Sequence, residues 1–404
     1  MSDTVYWIWL SRLKGMSPAR AAAALTACPD PADLWRMGPQ EAVLEGVPAA
    51  AADAAVDKDL DAAKRIAERC WELDITVLTR TDTRYPRRLL ELRDAPAVLY
   101  SKGTAFGREA VIAVVGSRNC SEYASRAATK LSADLAKGGA CVASGFARGV
   151  DTQAAWGCLS TGGAAIGILG CGIDVVYPPE NAELYEKAFE NGLVLSEYPP
   201  GTTPQARYFP VRNRLISGLA LGVVVVEAGE NSGSMITASL AKKQGRDLFA
   251  VPADLSRKGA AGSVRLLKEG ARLVTCAEDV LGLYRADFPD ELSGPVRNDN
   301  LILQGEEISA IAPQRRPGAP RQAPVSEKEI DNTAVSDYID LKEKADVSEY
   351  DSRRIVQTLL DNPSDADGLT RKLGIPVRRV MNAITVLELE GKVRSGPGGV
   401  YSLI

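Results

Sequence analysis

A chain of 404 residues, 45% hydrophobic and 25% charged, fits a globular protein of two or three domains, and no apolar run of about 18 residues marks a membrane span. Its seven cysteines are scattered without C-x-x-C spacing, which argues against a metal site, and the absence of histidine excludes Ser-His-Asp triads, Cys-His pairs and histidine bases. The net charge of −4 hides an asymmetry, because residues 201–272 carry eleven Lys/Arg against five Asp/Glu, whereas residues 287–350 carry fourteen Asp/Glu against seven Lys/Arg.

The start, Met1-Ser2-Asp3-Thr4, lacks the basic start and small-residue cleavage site of a signal peptide, so the expected location is the cytoplasm. Residues 5–70 read as helical. Ser17-Pro18 suits an N-cap followed by proline at the first helical position, after a turn at Gly15-Met16. Helix, glycine turn and helix give a SAM-like or helix-hairpin-helix bundle over residues 1–72. Such hairpins can bind DNA phosphates, but the few cations in this turn favour a packing role. Strands are expected at Ile75–Leu78 and Ala97–Tyr100. From Val111 to Val274 one unit repeats: an apolar run, a turn of Gly, Ser and Arg, and a helical stretch. Apolar strands alternating with helices form a parallel sheet covered on both faces, and ligands of such sheets sit at the carboxyl ends of the strands. The expected class is therefore α/β, with a parallel-sheet core over residues 73–285. Residues 286–350 read as an acidic flexible linker. In residues 351–404 three helical patterns and a hairpin compose a winged helix, in which Arg378 and Arg379 are candidate DNA contacts or solvated surface.

The turns carry the chemistry. Gly116-Ser117-Arg118 follows an apolar strand and precedes a helix starting near Ser121, a pattern that offers backbone N–H groups and a guanidinium to an anion. Ser144-Gly145 ends the next strand in a similar turn. The G-x-G-x-x-G spacing and any G-K-[ST] are missing, which disfavours NAD and ordinary ATP hydrolysis. In Arg207–Arg214 three arginines interleave with Tyr208 and Phe209, the composition of a surface that binds phosphates and stacks bases. The competing reading ties Arg212 and Arg214 to structural carboxylates such as Glu197 or Glu227. Asp151, Asp174 and Glu227 stand near strand ends and are assigned to ordering loops. Ser232 and Ser234 cap the next helix or bind an oxyanion.

At these motifs the chain resembles the DNA-processing protein A (DprA/Smf) family. The matching stretches are Ile112–Arg118, Ser144–Asp151, Leu169–Asn181, Ser196–Thr202, Phe209–Leu219, Val224–Ala238 and Gln244–Pro252, with Leu387–Val393 in the winged helix. The resemblance implies an extended Rossmann-like core, in a homodimer that binds single-stranded DNA, protects it and delivers it to the recombinase RecA during natural transformation, without catalysis or cofactor. Carried over by position, the DNA pocket includes Gly116, Ser117, Arg118, Ser144, Gly145, Phe209, Arg212, Asn213 and Arg214, with Ser232 and Ser234 added as candidates. Ala155 and Tyr208 stand where the family often has histidine, and Gly262-Ser263-Val264 replaces its G-T-N run. The alternative is a Rossmann-like enzyme acting on a nucleotide or phosphoribosyl compound. Its marker, a Gly-Gly-x-Gly-Thr turn followed by Glu, is replaced here by Ser232-Gly233-Ser234.

Overall fold

The computed structural model describes residues 3–254 and 256–295, and, towards the C-terminus, residues 354–360, 363–374, 393–395, 400–403 and Val380, Ile384 and Leu387. Most of the expected linker lies outside the described residues, as do Arg378 and Arg379. Two separate units are formed, Met1–Pro324 and Val325–Ile404.

The first unit opens with helices α1 (Thr4–Arg12), α2 (Pro18–Ala27), α3 (Pro31–Arg36), α4 (Pro39–Leu44), α5 (Ala49–Ala54) and α6 (Asp61–Glu72). Proline at the first turn and a capping side chain start two of them. Ser17 Oγ accepts from Arg20 N (3.3 Å) at α2, and Asp30 Oδ1 accepts from Ala32 N (2.8 Å) at α3. Val5, Trp7, Ile8, Trp9 and Leu10 are all buried, which makes α1 the centre of the bundle.

The core follows as β1 (Thr76–Thr79), α7 (Arg87–Leu90), β2 (Val98–Gly103), β3 (Val111–Val115), α8 (Glu122–Lys137), β4 (Cys141–Ser144), α9 (Val150–Leu159), β5 (Ala165–Leu169), α10 (Ala182–Asn191), β6 (Leu193–Ser196), α11 (Tyr208–Leu219), β7 (Gly222–Val225), α12 (Gly233–Lys243), β8 (Asp247–Ala250), α13 (Ala261–Lys268), β9 (Arg272–Leu273) and α14 (Glu278–Leu281). Nine strands form one sheet in the order β1-β2-β6-β5-β4-β3-β7-β8-β9. The strands from β6 to β9 are parallel, whereas β2 runs antiparallel to both β1 and β6. The two strands expected at Ile75–Leu78 and Ala97–Tyr100 therefore extend the core sheet at one edge.

Every residue of β3, β4, β5, β6 and β7 is buried. Successive side chains point to opposite faces and meet different layers. Ile112 and Val114 join the cluster built by α8, α9, α10 and the N-terminal bundle, whereas Val111, Ala113 and Val115 join that of α7, α11, α12 and α13. The connection leaving β3 thus covers one face and the connection leaving β7 covers the other. Adjacent strands whose connections diverge leave a crevice at their carboxyl ends, the usual ligand position in open α/β sheets. The turns after β3 and β7 flank it.

In the second unit residues 354–360 are helical, and helix Ala366–Leu373 starts at Asp365, whose carboxylate accepts from Gly368 N (2.7 Å). Gly374 closes that helix at φ 65°. Ser364–Asp365, Val400–Leu403 and Val393–Ser395 pair antiparallel in that order. Ile355, Leu359, Leu369, Val380, Ile384, Leu387 and Val393 are buried together beneath this sheet. Among the described residues these are two of the three helices and the hairpin expected of a winged helix, and most of the third helical pattern lies outside them. No helix among the described residues is long and apolar enough to cross a membrane.

Candidate nucleic-acid interface

The turn after β3 is held by close packing. A Cβ at Gly116 would stand 2.6 Å from Val150 and 2.9 Å from Glu227 O, so only glycine lets β3 approach α9 there. Gly149 has φ 73°, and a Cβ on it would meet Ser117 O at 2.3 Å. The turns after β3 and β4 are therefore locked together. Ser117 N donates to Glu227 O (2.7 Å), which ties in the turn after β7. Arg118 emerges from this anchored turn exposed, and it forms no ion pair with the described residues.

The helix N-terminus behind that turn is already satisfied. Glu227, 2% exposed, accepts from Ser121 N (2.9 Å) and Ser121 Oγ (2.5 Å), while Ser121 Oγ caps Ala124 N (3.1 Å). This carboxylate occupies the position an external anion takes at such a helix end. The N-terminus of α12 differs. Its cap residue, Ser232, makes no side-chain cap bond, and its hydroxyl instead lies 2.8 Å from that of Ser234. Gly233 is exposed, Ser232 half-buried and Ser234 buried.

Helix α11 brings the arginine–aromatic stretch to the same edge, but its members have different surroundings. Phe209 is half-buried against Gly170, where a Cβ would stand 2.9 Å from the ring. Tyr177 lies 5.5 Å away between ring centroids. The Arg118 guanidinium sits 5.4 Å from the Phe209 centroid and that of Arg212 5.8 Å away. Arg212, 4% exposed, donates to Gly145 O (3.0 Å) and to Ile168 O, gathering the ends of β4 and β5. Its charge lies beside Asp151, whose carboxylate accepts from Gly145 N (2.9 Å). Burial pushes the Asp151 carboxyl up from its ordinary range, and Arg212 opposes that shift. Ser144 is buried, with its hydroxyl between Asp151 O (3.2 Å) and Phe146 N (3.4 Å). Phe146 takes φ 50°, a strained conformation for a bulky residue, in the loop that carries these contacts.

Asn213 crosses to α12, donating from Nδ2 to Gly233 O (3.2 Å). Arg214, also 4% exposed, points elsewhere. It donates to both oxygens of Glu197 (2.6 and 2.8 Å) and stands 3.2 Å from Asp94. Of the sequence candidates, Arg118, Phe209, Arg212, Asn213, Ser232 and Ser234 are linked through direct contacts or adjoining helix ends. Gly116, Ser117, Ser144 and Gly145 shape the floor, and Arg214 lies in a separate ion pair of the kind anticipated as the alternative to phosphate binding.

The sequence model of the family described as "DNA recombination-mediator protein A" matches residues 76–285, and that of the "DprA winged helix domain" matches residues 341–399. The Escherichia coli protein Smf is 41% identical over 321 residues, spanning 79% of this chain and 75% of its own length. The Streptococcus pneumoniae DNA processing protein DprA is 42% identical over 204 residues, or 50% of this chain and 72% of its own. The crystal structure of the S. pneumoniae DprA superposes with a TM-score of 0.60 at 34% identity, covering 70% of this chain and 98% of that one. The chain belongs to the DprA/Smf family. That membership gives it a role in DNA processing and recombination.

Two features of this DprA/Smf site escape sequence reading, and Glu227, assigned to ordering a loop, has a partner that the sequence does not mark. Tyr177 backs Phe209, although only its place in a turn-rich stretch marks it. Tyr198 stacks on Tyr208 with centroids 4.3 Å apart. Glu227 closes the α8 N-terminus across 106 residues of chain. Its place just beyond a buried apolar strand was the available signal, since a carboxylate there needs donors.

Proposed function

We propose that this chain is a recombination mediator that binds single-stranded DNA along the carboxyl edge of the sheet, protects it and passes it to RecA, acting as a homodimer and without catalysis. The observation carrying the reading is the pairing of Arg118 and Phe209. An exposed guanidinium, anchored by a rigid turn, lies against a half-buried ring at the carboxyl edge of the sheet. A phosphate suits the first and a base face the second. The open N-terminus of α12, with the Ser232 and Ser234 hydroxyls, adds donors for a neighbouring phosphate. Arg212 and Asn213 position these elements, and Arg214 braces α11. RecA and the dimer enter from the family resemblance.

The non-catalytic reading is supported by the carboxylates. Asp151 is bound to Gly145 N, Asp174 Oδ1 accepts from Gly201 N (2.8 Å), and Glu227 is bound to Ser121. Each orders a loop, which argues against acid–base chemistry on a nucleotide.

Phe209→Ala is expected to weaken oligothymidylate binding by roughly 5- to 150-fold, the equivalent of about 1–3 kcal/mol for one stacked base, while Phe209→Trp retains it. Fluorescence anisotropy on variants shown to be folded by circular dichroism reads this directly. Parental affinity in Phe209→Ala would remove the stacking role.

A further inference from the structure

The α1–α2 turn, expected from its few cations to serve packing, carries charge that its packing does not explain. No acidic residue lies between Asp3 and Asp30, whereas Arg12, Lys14 and Arg20 cluster about the turn. Arg20 closes that turn, donating from Nη1 to Gly15 O (2.6 Å). Arg12 and Lys14 are exposed and pair with no carboxylate among the described residues. A cleft of about 200 Å³ separates the hairpin from the core. Arg12, Met16 and Ser17 line one side, and Glu197, Tyr198 and Val211 the other. Glu197 is already neutralised by Arg214, at 2.6 and 2.8 Å.

Tyr198 joins this cleft to the crevice. Its ring stacks on Tyr208 at an interplanar angle of 31°. Arg207 lies 5.2 Å from the Tyr208 centroid, is exposed and pairs with no carboxylate among the described residues. Tyr208 adjoins Phe209, which carries Arg118. Flat rings and unpaired cations thus follow one another, Arg118 with Phe209, Arg207 with the stacked Tyr208 and Tyr198, and Arg12 across the cleft from Tyr198. Such rings and cations suit a strand whose unpaired bases alternate with phosphates. A duplex, with its base faces stacked inside, has no use for the rings.

We propose that single-stranded DNA bound at Arg118 and Phe209 continues across Tyr208 and Tyr198 onto Arg12 and Lys14 of the α1–α2 hairpin, an extension that rests on the single-strand reading of the crevice. The hairpin then has two faces. Its apolar residues pack the bundle, and its turn cations hold the outgoing strand.

The test compares two oligothymidylates, one of about 6 nucleotides that fills the crevice alone and one of about 20 that reaches the hairpin. Binding of each to the full chain is followed by anisotropy across a salt series. Arg12→Glu/Lys14→Glu is expected to weaken the long oligomer at least tenfold at low salt and to flatten its log–log salt slope by about 0.7 per lost phosphate contact. The short oligomer should bind within twofold of the parent. Both substitutions are at exposed positions, and Arg12→Gln/Lys14→Gln provides a milder pair with the same expected order. Equal effects on the two oligomers, or no effect on either, would overturn the extension. Arg118→Ala separates this outcome from failure of the crevice itself, since it should weaken both lengths. If it weakens neither, the crevice reading falls and the extension with it.

Discussion

Arg118→Ala should bind oligothymidylate about 10- to 150-fold more weakly than the parent at the same salt, with a nearly unchanged thermal midpoint. One charge-assisted contact to a phosphate is worth about 1.5–3 kcal/mol, which sets that range. Stability should move little, because the side chain is exposed, forms no ion pair with the described residues and leaves only its contact with the Phe209 ring. Loss of one phosphate contact also flattens the log–log salt dependence by about 0.7. The weakening should be similar for different base sequences, since a phosphate contact carries no sequence information. Anisotropy titrations at several salt concentrations, with a thermal melt of each variant, check all three expectations. A parental affinity and slope in a folded variant would take Arg118 out of the interface.

Arg214→Ala should behave in the opposite way, with a large loss of stability that precedes any loss of binding. Breaking a buried ion pair by removing one partner costs about 3–5 kcal/mol. Arg214 is buried and holds Glu197 through two hydrogen bonds, with Asp94 beside it. Burial already pushes the Glu197 carboxyl above its ordinary range, against the pull of Arg214. Without the arginine that shift should grow, and the buried group should take up a proton. A carboxyl whose folded-state pKa lies above its unfolded value favours the folded state most below the unfolded value. That advantage disappears as pH rises through the folded value. The stability deficit of Arg214→Ala relative to the parent should therefore be smallest in mild acid and widen towards neutral pH. Urea unfolding at several pH values measures it. A deficit under about 1 kcal/mol near neutrality would contradict the structural role given to this arginine. Near the ordinary carboxylate range, a deficit as large as at neutrality would contradict the protonation argument.

The contrast between these arginines shows where sequence reading reaches its limit. Strands such as Val111–Val115 are legible because a run buried on both faces must be apolar throughout. The turns after them are legible because Gly116 and Gly149 serve close contacts that a side chain would block. Arg118, Arg212 and Arg214 have the same chemistry, and composition cannot sort them. The sheet order does so, by placing Gly145 and Ile168 carbonyls around one, Glu197 and Asp94 around another and solvent around the third. The α8 N-terminus read as an anion site, and it is one, but its anion is the chain's own Glu227. The short antiparallel strands β1 and β2 were expected as strands, but their place in the sheet depends on the distant pairing of Tyr100 with Ser196.

The central claim is that single-stranded DNA lies at the carboxyl edge of the sheet, over Phe209 and beside Arg118. Photo-crosslinking of the full chain to a 5-bromouracil-substituted oligonucleotide, with the adducts mapped by mass spectrometry, tests it most directly. The expected adducts fall in the Arg207–Arg214 stretch and around Tyr177, and they disappear in Phe209→Ala. Adducts confined to residues 351–404, with none on the central sheet, would contradict the account.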